Sequence, residues 1–158
     1  MSRHDAEIVW RSDGEFTSGH YSRAHEWRFD GGQVVRGSSS PTVVREPMSD
    51  PFGVDPEEAL VASASSCHML WFLDLARRDG LDVAAYRDSA EGLMGKGPQG
   101  AIMLTRITLR PEISFNGRQP SEAELADLHH RAHDLCFIAN SLKTEIVVEV
   151  PAAAAASS

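Results

Sequence analysis

The stretch that decides the fold is Asp55 to Gly80, DPEEALVASASSCHMLWFLDLARRDG. It reads as one long helix with complete punctuation. Asp55 is the N-cap and Glu58 closes a capping box with it. Pro56 takes the first helical position, where a missing N–H costs nothing. Arg77 and Arg78 suit the negative end of the helix dipole, and Gly80 supplies the residue past the C-terminus. Between these ends the side chains are apolar almost all the way round, so the helix is expected to be buried. Cys67 sits near its middle, between Ser66 and His68. Free cysteine is among the most buried residue types, so inert packing is one reading. A reactive thiolate is the other. It needs a cation from elsewhere, because Cys67 lies too far into the helix for the N-terminus to lower its pKa.

Upstream of this helix the chain is extended. Ala6–Arg11 and Ser22–Phe29 read as strands, Asp30-Gly31-Gly32 as a hairpin turn, and Gln33–Arg36 as the returning strand. Thr42–Arg45 reads as a further short strand, and Glu46–Val54, with Pro47, Pro51 and Gly53, as a loop. Downstream, Val83–Leu93 and Ala101–Phe115 read as one strand each. In the second, Met103, Thr105, Ile107, Leu109, Ile113 and Phe115 fall on one face at period two, and Pro111 marks its second half as edge or bulged. Ser121 and Glu124 form a second capping box. Leu125, Leu128, Ala132 and Leu135 then repeat at helical spacing up to about Cys136. A short helix over 137–142, a last strand over Thr144–Val150 and a frayed Ala/Ser tail over 152–158 complete the chain. The pattern is α+β, an antiparallel-rich sheet on two helices, in a single domain over 1–151.

Composition narrows the function. The 158 residues carry a formal net charge of −8, which argues against nucleic acid or an anionic membrane as partner. The longest apolar run, Ala59–Leu73, is about 15 residues and falls short of a bilayer span. Met1–Trp10 has no apolar core of a secretory leader, so a cytoplasmic location is expected. The two cysteines, Cys67 and Cys136, fit no zinc framework, and a permanent disulfide is not expected in a reducing compartment.

Three features favour chemistry at the thiols. Ser63, Ser65 and Ser66 make the helix polar around Cys67. Glu57 and Glu58 stand at its start. A second cysteine follows in a later helix, suited to trapping a sulfenic acid. A competing reading starts from His129, His133 and Cys136, spaced i, i+4 and i+7. With Cys67 and His68 they could form a soft metal site, or one imidazole could tune Cys136.

The chain resembles the OsmC/Ohr family of osmotically inducible and organic hydroperoxide resistance proteins. Two stretches carry the resemblance most specifically. One is Val54-Asp55-Pro56-Glu57-Glu58 followed by a small-residue helix to Cys67. The other is Ala132 to Cys136 leading into Ser141-Leu142-Lys143-Thr144-Glu145-Ile146. The resemblance implies the OsmC-like fold as an intertwined homodimer, and a thiol-dependent peroxidase that reduces organic hydroperoxides to alcohols. It implies Cys67 as the peroxidatic cysteine, Cys136 as the resolving one, Glu57 as the partner carboxylate, and an upstream arginine. Arg45 is chosen for that role, with Arg23 on the hairpin as the fallback. No cofactor is implied beyond an external dithiol reductant, such as a lipoyl group on a carrier protein. His68 after Cys67 and Phe137 after Cys136, where proline is usual, depart from the family pattern. They keep open a metal- or small-ligand-binding member that uses Cys67, Cys136 and nearby histidines without turnover. Glu57 and Cys67 are ten residues apart on one helix, or about 15 Å. Glu57 is therefore expected to serve the site of a second subunit.

Overall fold

The computed structural model describes residues 1–150, and the expected tail over 152–158 lies outside them. Two compact units meet in sequence within the long helix, one running to Ala59 and one starting at Leu60.

The first unit is built on an antiparallel three-stranded sheet in the order β1 (Ala6–Val9), β2 (His25–Phe29), β3 (Val34–Gly37). Gly32, at φ +83°, makes the β2–β3 turn that Asp30-Gly31-Gly32 announced. Thr42–Arg45 is not the expected strand. Ser40 folds this stretch into turns, its carbonyl accepting from Val43 and Val44 and its hydroxyl from the Thr42 amide. The loop after it is fastened by Ser38, whose Oγ accepts from Asp50 N at 2.9 Å, and by an Arg36–Asp50 ion pair.

Helix α1 spans Pro56–Arg78. Both halves of its capping box are made: Glu58 N donates to Asp55 Oδ1 at 2.7 Å, and Asp55 N to Glu58 Oε2 at 3.2 Å. Gly80 at φ +75° ends it, with Leu81 N returning to Ala76 O. At 23 residues, α1 is long and apolar enough to cross a bilayer by length and composition alone. That exceeds the run read from sequence, because the helix extends through charged residues at both ends.

The second unit wraps two sheets on α1. Each long extended stretch read from sequence is two strands in different sheets. Val83–Leu93 divides into β4 (Asp82–Asp88) and β5 (Glu91–Lys96). Ala101–Phe115 divides into β6 (Ile102–Leu109) and β7 (Pro111–Asn116). β4 pairs antiparallel with β7, while β5 pairs antiparallel with β6, and β6 parallel with β8 (Glu145–Val148). Both breaks sit at one corner. The Asp88 carboxylate accepts from Arg110 N at 2.6 Å and from Ser65 Oγ of α1 at 2.5 Å. Helix α2 (Glu122–Leu135) starts on the predicted Ser121–Glu124 capping box, and α3 (Phe137–Ser141) follows directly.

The core has two parts. Phe72, Leu75 and Ala76 of α1 pack with Leu81, with Leu128 and Ala132 of α2, and with Val83, Ile113 and Phe115 of the β4–β7 sheet. Ala64 of α1 packs with Ile107 and Leu109 of β6, with Leu60, Val61, Ile138, Ile146 and Val148 around them. Gly92 lets β5 approach α1: a Cβ there would meet Val61 Cγ2 at 2.6 Å. Burial of α1 is nevertheless one-sided within the chain. Ala64, His68, Phe72, Leu75 and Ala76 are buried, whereas Leu70 is 63% exposed.

Candidate functional site

Cys67, Leu70, Trp71 and Asp74 follow at i, i+3, i+4 and i+7, so they form one stripe along α1. With Phe137 of α3 they line an open, mostly apolar cleft of about 320 Å³. Cys67 is half-buried and free, so its sulfur sits on an accessible wall rather than in the core. Trp71 and Phe137 meet edge to face, with ring centroids 5.4 Å apart and planes at 87°. Asp74 is the charged group of the lining. Hydrogen bonding from Arg77 and the charges of Arg77 and Arg78 hold its pKa below the usual carboxylate value.

Cys136 is also free, but only 1% exposed. It joins two helices. Its amide donates to His133 O as the C-cap of α2, and its Sγ accepts from Ala139 N at 3.4 Å as the N-cap of α3. Burial chiefly, opposed by the Ala139 amide and helped by the neighbouring Cys67 thiol, pushes its thiol up to about 11. The two thiols are near enough to interact, one half-buried on the cleft wall and one enclosed.

The flanking polar residues face elsewhere. Ser66 Oγ donates to Ser63 O, and Ser65 Oγ to Asp88. These serines satisfy the helix and the sheet corner, and do not make a polar lining for the thiol. His68 enters the core and meets His129 of α2, with Nε2 and Nδ1 3.0 Å apart and rings nearly coplanar. Burial is the main cause that lowers both imidazoles to about 4; His133 adds to it at His68, where Asp88 opposes, and His68 adds to it at His129. Two neutral rings share one hydrogen bond, leaving His68 Nδ1 and His129 Nε2 buried without a partner among the described residues. His129, His130 and His133 line a separate groove with Ala126, Ile146, Val148 and Val150. Among the described residues no three His, Cys, Asp or Glu side chains converge to hold a metal.

The remaining predicted site residues belong to the first unit. Glu57 is half-buried in the first turn of α1. Arg45 is exposed, and its guanidinium has no hydrogen bond or ion pair among the described residues. Arg23 is engaged locally: Nη1 donates to Tyr21 O at 2.6 Å and Gly19 O at 3.2 Å, and the guanidinium stacks 3.7 Å from the Tyr21 ring.

Trp71 and Phe137 are the aromatic residues of the cleft. Phe72 is core, and Met48 and Phe52 lie in the first unit. Leu70 and Asp74 were missed, although counting three and seven residues on from Cys67 finds them.

Residues 48–151 match the family model described as OsmC-like protein. The chain belongs to the OsmC-like family. Among solved structures this OsmC-like chain is similar to an OsmC-like protein of unknown function from Vibrio cholerae, at 46% identity and TM-score 0.93 over 95% of this chain and 99% of that one. It also shares its fold with an organic hydroperoxide resistance protein OsmC from Legionella pneumophila (13% identity, TM-score 0.69, 95% and 96% covered). The organic hydroperoxide resistance protein OhrB of Bacillus subtilis is similar at 14% identity and TM-score 0.64, with 92% and 97% covered. No curated protein matches the OsmC-like chain in sequence.

Proposed function

We propose that this OsmC-like protein is a thiol peroxidase that reduces organic hydroperoxides in the cytoplasm and protects against oxidative stress. One observation carries the reading: an accessible Cys67 on an apolar cleft stands beside a buried Cys136. The Cys67 thiolate attacks the distal peroxide oxygen, the O–O bond breaks, and the alkoxide leaves as an alcohol after taking up a proton. Cys67 is then a sulfenic acid. Cys136 attacks its sulfur, the S–S bond forms, and the sulfenic hydroxyl leaves with the Cys136 proton as water. Burial keeps the Cys136 thiol protonated, so Cys67 is the better placed of the two to meet the peroxide. An external dithiol, such as a lipoyl group on a carrier protein, reduces the disulfide and is itself oxidised.

The thiolate needs a cation. Arg45 fits better than Arg23, because its guanidinium is uncommitted while that of Arg23 is spent on Tyr21 and Gly19. Glu57 would orient that guanidinium by a paired hydrogen bond. Ten residues of helix separate Glu57 from Cys67, so each active site is completed by the Glu57 of a second copy in a homodimer.

A coupled hydroperoxide assay with a dithiol tests this. Cys67→Ser abolishes turnover. Cys136→Ser reacts once and stops at the sulfenic acid or over-oxidises, seen as added oxygen by intact mass. Normal turnover by either variant refutes the corresponding role.

A further inference from the structure

Two buried histidines need a reason to be histidine. His68 of α1 and His129 of α2 are enclosed by their own chain, and His129 stacks on Phe72 with ring centroids 4.6 Å apart. An apolar pair would fill this space without buried polar edges to satisfy. Successive residues of a helix point about 100° apart. His68 therefore leaves α1 with Phe72 and Leu75 on the core face, away from the stripe that carries Cys67 and Leu70. The burial of both rings and the 3.0 Å bond between them are made within one chain, so a second copy seated on that stripe cannot undo them.

That bond fixes which way His129 faces. Its Nδ1 is turned to His68, and Nε2, on the other edge of the ring, has no partner among the described residues. His129 also lines the groove between α2 and β8, with Ala126, Ile146 and Val148. One turn further along α2, His133 is half-buried and lines the same groove. It is close enough to the buried pair for its charge to bear on His68. Imidazoles at i and i+4 stand on one helix face with Cβ atoms about 6 Å apart, the spacing at which two histidines of one helix grip a zinc ion. A neutral His129 that donates from Nδ1 keeps the Nε2 lone pair for such an ion. Metal-bound histidines are held in this way, the second ring nitrogen donating to a fixed acceptor. Here that acceptor is His68 Nε2. The thiols take no part, because Cys136 Sγ accepts from Ala139 N and Cys67 lines the other cleft. His130 is exposed and turns to Asp134, Nε2 to Oδ2 at 3.4 Å.

We propose that His129 Nε2 and His133 bind a divalent transition-metal ion of the zinc class, with His68 as the residue that positions His129. Imidazole nitrogens suit zinc, copper and nickel, whereas magnesium and calcium seek oxygen. Two protein ligands leave the remaining coordination positions to water. The site stands independently of the peroxidase reading and involves no electron transfer.

The test is a zinc titration of the full chain in its own oligomeric state, stripped of metal by chelator. Cys67→Ser and Cys136→Ser are introduced together so that thiolates cannot bind the ion, and a serine hydroxyl still caps α3. Calorimetry is expected to show one zinc per chain. Nitrogen-15 spectra of the histidine-labelled protein, recorded in wild type as well, are expected to show His129 Nε2 shifting on binding while Nδ1 keeps its proton. His133→Ala is expected to abolish the one-per-chain binding, and His130→Ala to leave it unchanged. His68→Leu is expected to weaken it about ten- to a hundredfold, and His68→Gln, which keeps an acceptor for His129, to weaken it less. No zinc bound by the thiol-free protein overturns the proposal. So does binding that survives His133→Ala, or that His130→Ala weakens as much.

Discussion

His68 follows Cys67 in the chain but has a different task. Its ring is 1% exposed and that of His129 3%, so both are held neutral by burial. The folded-state value near 4 lies below the usual value for an unfolded imidazole, so the unfolded chain binds more protons between them. Stability is therefore fully present above about pH 6.5 and lost as pH falls toward 4. Urea unfolding at pH 7.5 and pH 5 is expected to show a marked drop in wild type. His68→Leu with His129→Leu removes donor and acceptor together, which can be nearly neutral at pH 7.5, and removes these two groups' share of the acid loss. An unchanged acid loss in the double variant refutes the neutral pair. Sequence could place both histidines on helices, but a cysteine neighbour made His68 look like site chemistry. Only the packing of α1 against α2 shows that it faces the core. The pairing of Cys67 with Cys136, by contrast, is implied by the family resemblance of their contexts.

At the scale of elements, the helices were read closely and the strands were not. Helix ends are written locally: Asp55, Pro56, Glu58 and Gly80 act within one turn of themselves, as do Ser121 and Glu124. The breaks at Ser89–Ala90 and Arg110 meet at a side chain, Asp88, that stitches distant segments together; Pro111 signals the second, and no local residue announces the first. Thr42–Arg45 failed for the opposite reason. β-Branched residues suggested a strand, and the turn chemistry of Ser40 overrode them. The capping reading carries its own expectation. Asp55→Ala removes the acceptor for Glu58 N and is expected to cost about 1 kcal/mol of stability. Asp55→Asn keeps an acceptor and is expected to lose less. Chemical denaturation of the three proteins in parallel measures this, and equal stability of all three would show that the box adds nothing.

At the scale of the molecule, α1 raises a problem that one chain does not solve. The helix is apolar around most of its surface, yet its exposed side includes Leu70, next to the thiol stripe and the exposed Phe137. Exposed apolar groups grouped on one helix mark a surface for association. The same helix carries Glu57 at its start and Cys67 near its middle, about 15 Å apart along its axis. Both facts fit the proposed homodimer, in which each α1 would contribute its thiol to one site and its glutamate to the other. Mixing separates this arrangement from a site made within one chain. Cys67→Ser homodimers have no reactive thiol, and Glu57→Gln homodimers have no orienting carboxylate. Refolded together in equal amounts, half the dimers hold one chain of each kind. Each mixed dimer then carries one site with Cys67 from one chain and Glu57 from the other. Activity of the mixture is expected to recover to about a quarter of wild type. If Glu57 served its own chain's Cys67, every site would lack one of the two groups and mixing would restore nothing. Sedimentation of wild type as a dimer, together with that recovery, would join the oligomer to the chemistry. A fully active monomer would break the link.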